Sequence, residues 1–350
     1  MRLTRFEALG AHLPSLAITT RSLVAQMRVS APFDLEHITG IRTRRVHDRT
    51  PGAIEDSLVL ATRAARDCLS RSRYRATELD VVISVSITRY RGGYRMYFEP
   101  ALSLAIKREL GALSAIHFDV SNACAGMMTG VWMLDRMIRA GEVRNGMVVS
   151  GECITPISDT ALAEIDQPLD PQFGSLTVGD AGAAVILDGE GTPDDCIHYV
   201  ELMTCAEHAG LCIGMPSDRT AGPALYTNNQ EMHRKERVQL WPHFHRDFLA
   251  RRGATFASER YDHLVHHQVG TKAMASFSKF ASKVFEAEVP ESLSVVEAYG
   301  NTASTSHFVV LYEHLRERRL ARGSKVLFVP AASGVVTGCV AATISSLEVG

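Results

Sequence analysis

The sequence predicts an α/β protein built from two copies of one unit. The pattern predicts a buried strand at 117–120 that leads through a short polar turn into an amphipathic helix near 127–138. When the chain is aligned with itself so that Cys124 matches Asn301, an offset of 177, the following segments align without a gap. Leu134 then matches Leu311, and Gly146 matches Gly323. Each copy contains a strand, a turn, a helix, a glycine and a second strand, in that order. This order is typical of a duplicated α/β unit, and the alternative is a chance match of two such segments. We expect an N-terminal half at 1–188 and a C-terminal half at 189–350.

The elements follow in chain order. Apolar runs predict a first strand at 6–13, a helix at 54–70 and a strand at 80–86. Pro100 is expected at the first position of a helix that ends near 110. The glycines at 179–182 predict close backbone packing before a strand that ends at 187. Residues 188–195 are predicted to link the halves, and 205–240 to be an insertion that shapes a substrate pocket.

Composition limits the function. The formal net charge is −2 and no basic stripe with interleaved aromatic residues occurs, which argues against nucleic-acid binding and favours a small molecule or a carrier. The seven cysteines lack C-x-x-C pairs, so neither a disulfide framework nor a zinc site is indicated. There is no signal-like apolar run at the N-terminus and no long uncharged stretch for a membrane span. We expect a soluble, cytoplasmic protein without a membrane partner.

Cys124 is the first candidate for chemistry. It lies near the N-terminus of the predicted helix, where unpaired N–H groups and the macrodipole favour a thiolate and lower a cysteine pKa from about 8.5 into a range of roughly 3.5 to 7.5. The alternative is a small buried residue that packs the turn. Because equivalent turns of a duplicated fold converge on one crevice, we expect Cys124 and Asn301 to face each other.

Three histidines occur within the predicted strand 261–268. They suggest a metal site, but no acidic or sulfur ligand completes it locally. A nucleophilic cysteine needs a nearby base, and a histidine at a strand end commonly supplies it. His267 is the better candidate than His266, because strand alternation places the two on opposite faces.

Five ordered motifs carry a family resemblance over nearly the whole chain. They are Thr39-Gly40-Ile41-Arg42-x-Arg44, Asp119-Val120-x-x-Ala123-Cys124-Ala125-Gly126, Gly179-Asp180-Ala181-Gly182-Ala183, His267-Gln268 and Tyr299-Gly300-Asn301-Thr302. The chain resembles the ketoacyl-ACP synthase III branch of the thiolase superfamily. This resemblance implies a thiolase fold, with two duplicated βαβαβαββ halves in five αβαβα layers.

The resemblance also implies a homodimer and a Cys124, His267 and Asn301 triad. The cysteine takes an acyl group from a thioester, while the histidine and asparagine hold the enolate oxygen of a second substrate. The oxyanion hole is expected from the N–H of Cys124 and of a residue in the loop 331–334, with Ser333 as first choice and Gly334 as second. No metal and no cofactor is expected, because acyl carrier protein phosphopantetheine or CoA carries the substrates.

Two departures from the family pattern concern binding. The usual His-Gln-Ala-Asn reads His267-Gln268-Val269-Gly270, so the contacts of the missing asparagine are in doubt. A tryptophan and an arginine that clamp the adenine of coenzyme A in the bacterial fatty-acid enzymes fall at Asp34 and Ile38. The donor is therefore expected on an acyl carrier protein, or else coenzyme A is held differently.

Glu99 is a third departure. A carboxylate at a helix start is commonly only a favourable charge. The Phe98-Glu99-Pro100 segment, however, resembles OleA-type head-to-head ketosynthases, in which the glutamate reaches into the partner subunit's site and deprotonates the second acyl chain. A carboxylate in an apolar tunnel has a raised pKa that suits this task.

The resulting prediction is a β-ketoacyl synthase that joins two acyl thioesters by Claisen condensation through an acyl-cysteine. The interconnecting ketosynthases that join two polyketide chains are a close variant. The alternatives are a ketoacyl-ACP synthase III that uses malonyl-ACP, an acyltransferase on the same scaffold, or a non-catalytic dimer partner of an active homologue.

Overall fold

Two mixed β-sheets organise the computed structural model, which describes residues 2–28, 33–52, 54–167 and 169–349. Its strands are β1 (Arg5–His12), β2 (Leu16–Thr19), β3 (Thr43–Val46), β4 (Val81–Ser84), β5 (Tyr90–Arg91), β6 (Arg95–Met96), β7 (Ile116–Asp119), β8 (Asn145–Glu152), β9 (Ala181–Asp188), β10 (Cys196–Thr204), β11 (Cys212–Pro216), β12 (Pro223–Thr227), β13 (His263–His266), β14 (Ser324–Val329), β15 (Ala331–Ala332) and β16 (Val336–Ile344). The first sheet has the order β1-β9-β8-β4-β7 and the second β10-β16-β14-β13. In both, antiparallel pairs lead to a parallel pair, which confirms the predicted duplication.

Helices cover both faces of each sheet. They are α1 (Thr20–Val24), α2 (Leu35–Thr39), α3 (Ser57–Arg71), α4 (Leu102–Leu110), α5 (Gly126–Ala140), α6 (Pro156–Glu164), α7 (Asn229–Met232), α8 (Lys235–Val238), α9 (Leu240–Arg251), α10 (Phe256–Glu259), α11 (Thr271–Phe285), α12 (Val296–Tyr299) and α13 (Ser306–Arg316). Helix α3 packs on the outside of the first sheet, α5 and α13 lie between the sheets, and α9 packs on the outside of the second. These are the five predicted αβαβα layers. Because layers cover both faces, every residue of β8 and β9 is buried.

The repeated turns correct the predicted offset of 177. Ala123–Ala125 and Ala303–Thr305 each form one 3-10 turn, 180 positions apart, and both begin with an alanine of positive φ. Cys124 is therefore equivalent to Ser304, and not to Asn301. The error has a physical cause, since apolar residues recur at both three and four positions along a helix and match almost equally well after a shift of three.

The start of α4 also differs from the prediction. The helix begins at Leu102, so Pro100 is not its first residue. The carboxylate that accepts hydrogen bonds from its first N–H groups belongs to Asp119, which lies 3.0 Å from the Leu102 nitrogen and 2.9 Å from that of Ser103. Glu99 is thus not needed as a charge at the helix end, and the simplest structural explanation for it is removed.

The segment 205–240 contains the hairpin of β11 and β12 followed by two short helices. Strand β12 packs against α6 and against the 3-10 turn Pro171–Thr177. Leu225 in this strand reaches the apolar cluster beside Cys124. In the described ranges, no helix is both long and apolar enough to span a bilayer.

Candidate active site

Cys124 lies in the 3-10 turn between β7 and α5. Its side chain is partly exposed and packs against a cluster formed by four buried side chains and one partly buried one, namely Ile154, Ile157, Val178, Ala303 and Leu225. A second small cluster, with Ala332 and Val336, lies on its other side. The sulfur therefore sits among apolar groups contributed by both halves of the chain.

This environment corrects the expectation of a lowered cysteine pKa. Burial raises the pKa of the Cys124 thiol, and the neighbouring Cys212 and Glu152 raise it further. Desolvation disfavours the charged form of this side chain. Cys124 is consequently a thiol at rest and not a preformed thiolate.

Asn301 is held by its backbone against the segment that precedes β9. Its N–H donates to the Thr177 carbonyl at 2.9 Å, and its own carbonyl accepts from the N–H of Gly179 at 3.0 Å. A Cβ at Gly179 would lie 2.2 Å from the Tyr299 carbonyl oxygen, so only glycine permits this approach. The predicted close packing at the glycine-rich turn is confirmed, and it positions Asn301.

The Asn301 side chain has one defined orientation. Its Oδ1 accepts a hydrogen bond from the Ala303 N–H at 3.0 Å. The Nδ2 group has no partner within the described part of the chain, and it remains a donor for a bound molecule. The turn that carries Cys124 packs against the turn Ala303–Thr305, which follows Asn301, and Ala303 is a direct neighbour of Cys124.

His267 follows directly after β13 and is only 4% exposed. Its N–H donates to the Val329 carbonyl at 3.2 Å, and its ring lies beside that of His307. Burial, and secondarily His307, lowers the pKa of His267 to about 3. The imidazole is therefore neutral at pH 7.

His266 has a different environment, as strand alternation requires. Its Nδ1 lies 2.9 Å from the Ser292 hydroxyl, and its ring meets that of Trp241 edge-on. Since His266 and His267 contact opposite sides of the strand, they do not converge on one ion. The two histidines lie on opposite faces, as strand alternation predicts, and the preference for His267 as the catalytic group stays a prediction.

Gln268 and Gly270 account for the altered loop motif. The Gln268 amide donates to the His266 carbonyl at 2.8 Å and accepts from Ser294 and from the Val295 N–H. At Gly270, φ is +148° and a Cβ would lie 3.0 Å from the Thr39 carbonyl oxygen. The loop is therefore held by Gln268 and by close packing at Gly270.

The two oxyanion candidates lie in the loop between β15 and β16. Ser333 and Gly334 are partly exposed, and β15 contacts the turn that carries Cys124. Reciprocal backbone hydrogen bonds between Val335 and Cys205 fix the end of this loop. Both residues stay predictions as donors.

Glu99 lies on the surface of the described chain. Its side chain is exposed and has no hydrogen bond or ion pair among the described residues. The adjacent Phe98 is 84% exposed. A role for Glu99 in the reaction stays a prediction.

The positions of the missing adenine clamp have other roles. Asp34 caps α2 by accepting from the His37 N–H at 2.9 Å, and Ile38 is exposed. Asp34 also lines a surface cavity of about 600 Å³, together with Arg21 and Arg42. This cavity is lined by charged side chains, whereas the adenine clamp of the bacterial fatty-acid enzymes would provide a tryptophan and an arginine that stack on the adenine.

One buried group of metal-type ligands has a structural explanation. Ligand atoms of His47, Cys153 and Asp180 lie within 4.8 Å of one another. The Asp180 carboxylate, however, accepts from the N–H groups of Ile154 and Thr155 at 2.7 and 2.8 Å and from the His47 ring at 2.5 Å. Its lone pairs are already used, so this carboxylate organises the chain after β8.

Sequence reasoning missed two buried groups beside the site. Glu152, at the end of β8, accepts from Ser150 and Ser304 and from two N–H groups, and burial raises its pKa despite these bonds. His307 lies in α13 with no solvent exposure. The available signal for His307 was a polar ring directly before the apolar run 308–311, where core packing alone would favour another apolar residue.

Comparison with known proteins agrees with this architecture. Residues 118–204 match the model described as 3-oxoacyl-[acyl-carrier-protein (ACP)] synthase III, and residues 252–344 match its C-terminal model. The β-ketoacyl-[acyl-carrier-protein] synthase III of Rhodospirillum centenum is 27% identical over 334 residues, which cover 94% of this chain and 95% of the relative.

Solved structures share the fold over almost the full length. A cysteine-to-serine variant of Xanthomonas campestris OleA, with bound lauric acid and lauroyl-CoA, gives a TM-score of 0.83 at 21% identity, covering 97% of this chain and 99% of that one. The FabH synthase of Pseudomonas aeruginosa gives 0.79 at 22% identity, covering 98% and 99%. Fold and matches together define a thiolase-fold acyltransferase of the ketosynthase class. The chain belongs to the 3-oxoacyl-[acyl-carrier-protein] synthase III family.

Proposed function

We propose that this ketosynthase joins two acyl thioesters, delivered on acyl carrier protein or coenzyme A, by a Claisen condensation that gives a β-keto product. The observation that carries the proposal is that two residues of the expected triad, Asn301 and His267, are neutral hydrogen-bond donors. The Asn301 amide has its oxygen engaged by Ala303 and its NH₂ group available. His267 is kept neutral by burial. Two neutral donors stabilise an enolate oxygen without first being neutralised by it.

The first half-reaction loads the cysteine. The Cys124 sulfur attacks the thioester carbonyl, a carbon–sulfur bond forms, and the carrier thiol leaves with the proton. The oxyanion is held by the N–H of Cys124 and by that of Ser333, or alternatively Gly334. Because burial raises the pKa of Cys124, the proton has to leave during substrate attack. No cofactor is required beyond the carrier of the acyl group.

The second half-reaction makes the carbon–carbon bond. The α-carbon of a second thioester loses a proton, and the resulting enolate attacks the acyl-Cys124 carbonyl. A carbon–carbon bond forms, the carbon–sulfur bond breaks, and Cys124 recovers its proton. His267 and Asn301 hold the enolate oxygen, and Glu99 of a second copy takes the α-proton.

The requirement for a second copy agrees with the surface around Glu99. Strand β7 is the edge of the first sheet, and Ile116 in it is 56% exposed. Leu113 and Phe98 are also large, exposed apolar side chains. An open strand edge with apolar neighbours favours pairing with an identical edge, so we propose a cytoplasmic homodimer in which each Glu99 serves its partner's site.

The test separates deprotonation from decarboxylation. Glu99→Gln should retain acyl-Cys124 formation, measured by mass spectrometry, and should lose condensation of two saturated acyl thioesters, because an amide of nearly the same shape cannot act as a base. Glu142→Gln, an exposed glutamate after α5, is the matched control and should remain active. The wild type should release no carbon dioxide. Strict dependence on malonyl-ACP together with full activity of Glu99→Gln would instead support the chain-initiating synthase.

Hybrid dimers test the proposed geometry. Cys124→Ala and Glu99→Gln subunits are each inactive in condensation as homodimers. A mixed dimer contains one site with Cys124 from one subunit and Glu99 from the other, so activity should return on mixing. No return in a dimer of confirmed mixed composition would place Glu99 and Cys124 of the same subunit together. Absence of acyl-Cys124 with every thioester tested would favour the non-catalytic partner.

A further inference from the structure

The Val329 carbonyl at the end of β14 joins two histidines. It accepts one hydrogen bond from the backbone N–H of His267 at 3.2 Å and another from the ring nitrogen Nε2 of His307 at 3.1 Å. Val329 pairs with His266 in the parallel ladder of β14 and β13. His307, which comes from α13, therefore holds the strand end from which His267 emerges.

The two imidazole rings are also stacked. Their centroids are 6.0 Å apart and their planes differ by 28°. A carbonyl can only accept, so the proton of neutral His307 lies on Nε2 and its Nδ1 is bare. Burial lowers the pKa of His307 to about 4, and both rings are consequently uncharged at pH 7.

The surroundings of His267 select one tautomer. Its Nδ1 is buried and has no hydrogen-bond partner in the described ranges of the chain. A proton on this nitrogen would leave a buried N–H without an acceptor, which costs about 1–3 kcal/mol, whereas a proton on Nε2 can be donated to a bound molecule. The proton is therefore favoured on Nε2, where the ring becomes a donor.

We propose that His307 is a positioning residue for His267. The shared carbonyl and the stacked ring hold the His267 imidazole in the orientation in which its Nε2–H donates to the enolate oxygen. This inference rests on the proposed function, because the role of His307 concerns only the second half-reaction, in which the carbon–carbon bond forms. His307 itself touches no reacting atom.

Single-turnover kinetics test the proposal with two variants and a matched control. His307→Val removes both the donor and the ring and should lower the condensation rate about 10- to 100-fold, with acyl-Cys124 formation and KM for the second thioester unchanged. His307→Gln places an amide donor near the former Nε2 and should recover part of the loss. His314→Gln alters a buried histidine of the same helix, whose ring bonds the Val310 carbonyl, and should have no effect.

The outcomes separate the inference from the proposed function. If His267→Ala loses condensation and His307→Val retains the full rate, the positioning role is wrong and the proposed function stands. If His267→Ala retains condensation, the proposed function is wrong. If His307→Val does not fold, nitrogen-15 spectra of the wild type decide the question, because a proton on Nδ1 of His267 overturns the proposal and a bare Nδ1 supports it.

Discussion

Two of the groups proposed for catalysis, Cys124 and His267, are uncharged in the resting protein. Burial raises the pKa of Cys124 and lowers that of His267. Ionising either buried group would place a charge away from water, and the lost hydration makes this unfavourable. Cys124 therefore stays a thiol and His267 a neutral imidazole. Charge then appears only when substrate oxygen atoms are present to accept hydrogen bonds.

The pH dependence of Cys124 alkylation tests this description. Iodoacetamide reacts with the thiolate, so the labelling rate of Cys124 should keep rising from pH 6 to 9 without a plateau near neutrality. Peptide mass spectrometry distinguishes Cys124 from the partly exposed Cys212. Loss of acylation should follow labelling of Cys124 and should be complete in Cys124→Ala.

A rate already maximal at pH 6 would mean that the helix start stabilises the thiolate. Inactivation that follows labelling of Cys205 or Cys212 would contradict Cys124 as the nucleophile.

Candidate site residues could be predicted from the sequence where a recognisable motif contains them. Cys124, His267 and Asn301 could be named from motif and strand parity. His307 and Glu152 could not, because their partners lie far away in sequence: Val329 is 22 positions from His307, and Ser304 is 152 from Glu152. No local pattern specifies contacts that only tertiary packing creates.

At the scale of elements, the turn before β9 determines where Asn301 lies. Gly179→Ala would force the new Cβ against the Tyr299 backbone, which cannot move aside as a flexible side chain could. We expect a loss of stability of about 1–3 kcal/mol from overpacking. Condensation should fall by about 100-fold if the Asn301 amide moves by an ångström.

Thermal unfolding and the two half-reactions measure these effects. Gly214→Ala in β11 is the control, since a Cβ there meets open space and should change neither property. Unchanged condensation in a folded Gly179→Ala protein would contradict the positioning of Asn301 by this turn.

Element existence was more predictable than element boundaries. The strands and helices that were predicted from apolar runs occur near the expected positions, and the predicted linker 188–195 lies between β9 and β10, whereas β10, β16, α9 and α11 were not predicted. The start of α4 was wrong because the capping carboxylate, Asp119, comes from a different strand. The offset between the halves was wrong because helical periodicity does not fix register.

At the scale of the whole molecule, buried histidines couple folding to pH. Burial lowers the pKa of His245, His266 and His267 to about 3. Below about pH 6.5 the unfolded chain binds protons at these positions and the folded chain does not, so stability falls as pH decreases. Each group contributes about 1.4 kcal/mol per pH unit across the window between the two pKa values.

Urea unfolding at pH 7, 6 and 5 measures this loss, and the midpoint should fall at each step. His245→Phe, in a cluster that already contains Phe248 and Phe256, should reduce the slope with pH. His243→Phe, exposed on the same helix, should not. An equal slope in all three proteins would remove His245 from the explanation.

The equivalence of Cys124 and Ser304 has a consequence for how such a chain arose. Two half-length polypeptides that associate symmetrically would each present the same turn, and the complex would have two identical reaction centres. Fusion of the two into one gene lets the copies diverge. Here one turn has a sulfur in contact with an apolar cluster, while the other has the Ser304 hydroxyl bound to Glu152 and donates its first N–H to the side-chain oxygen of Asn301. The duplicated chain therefore contains one sulfur-bearing turn and not two.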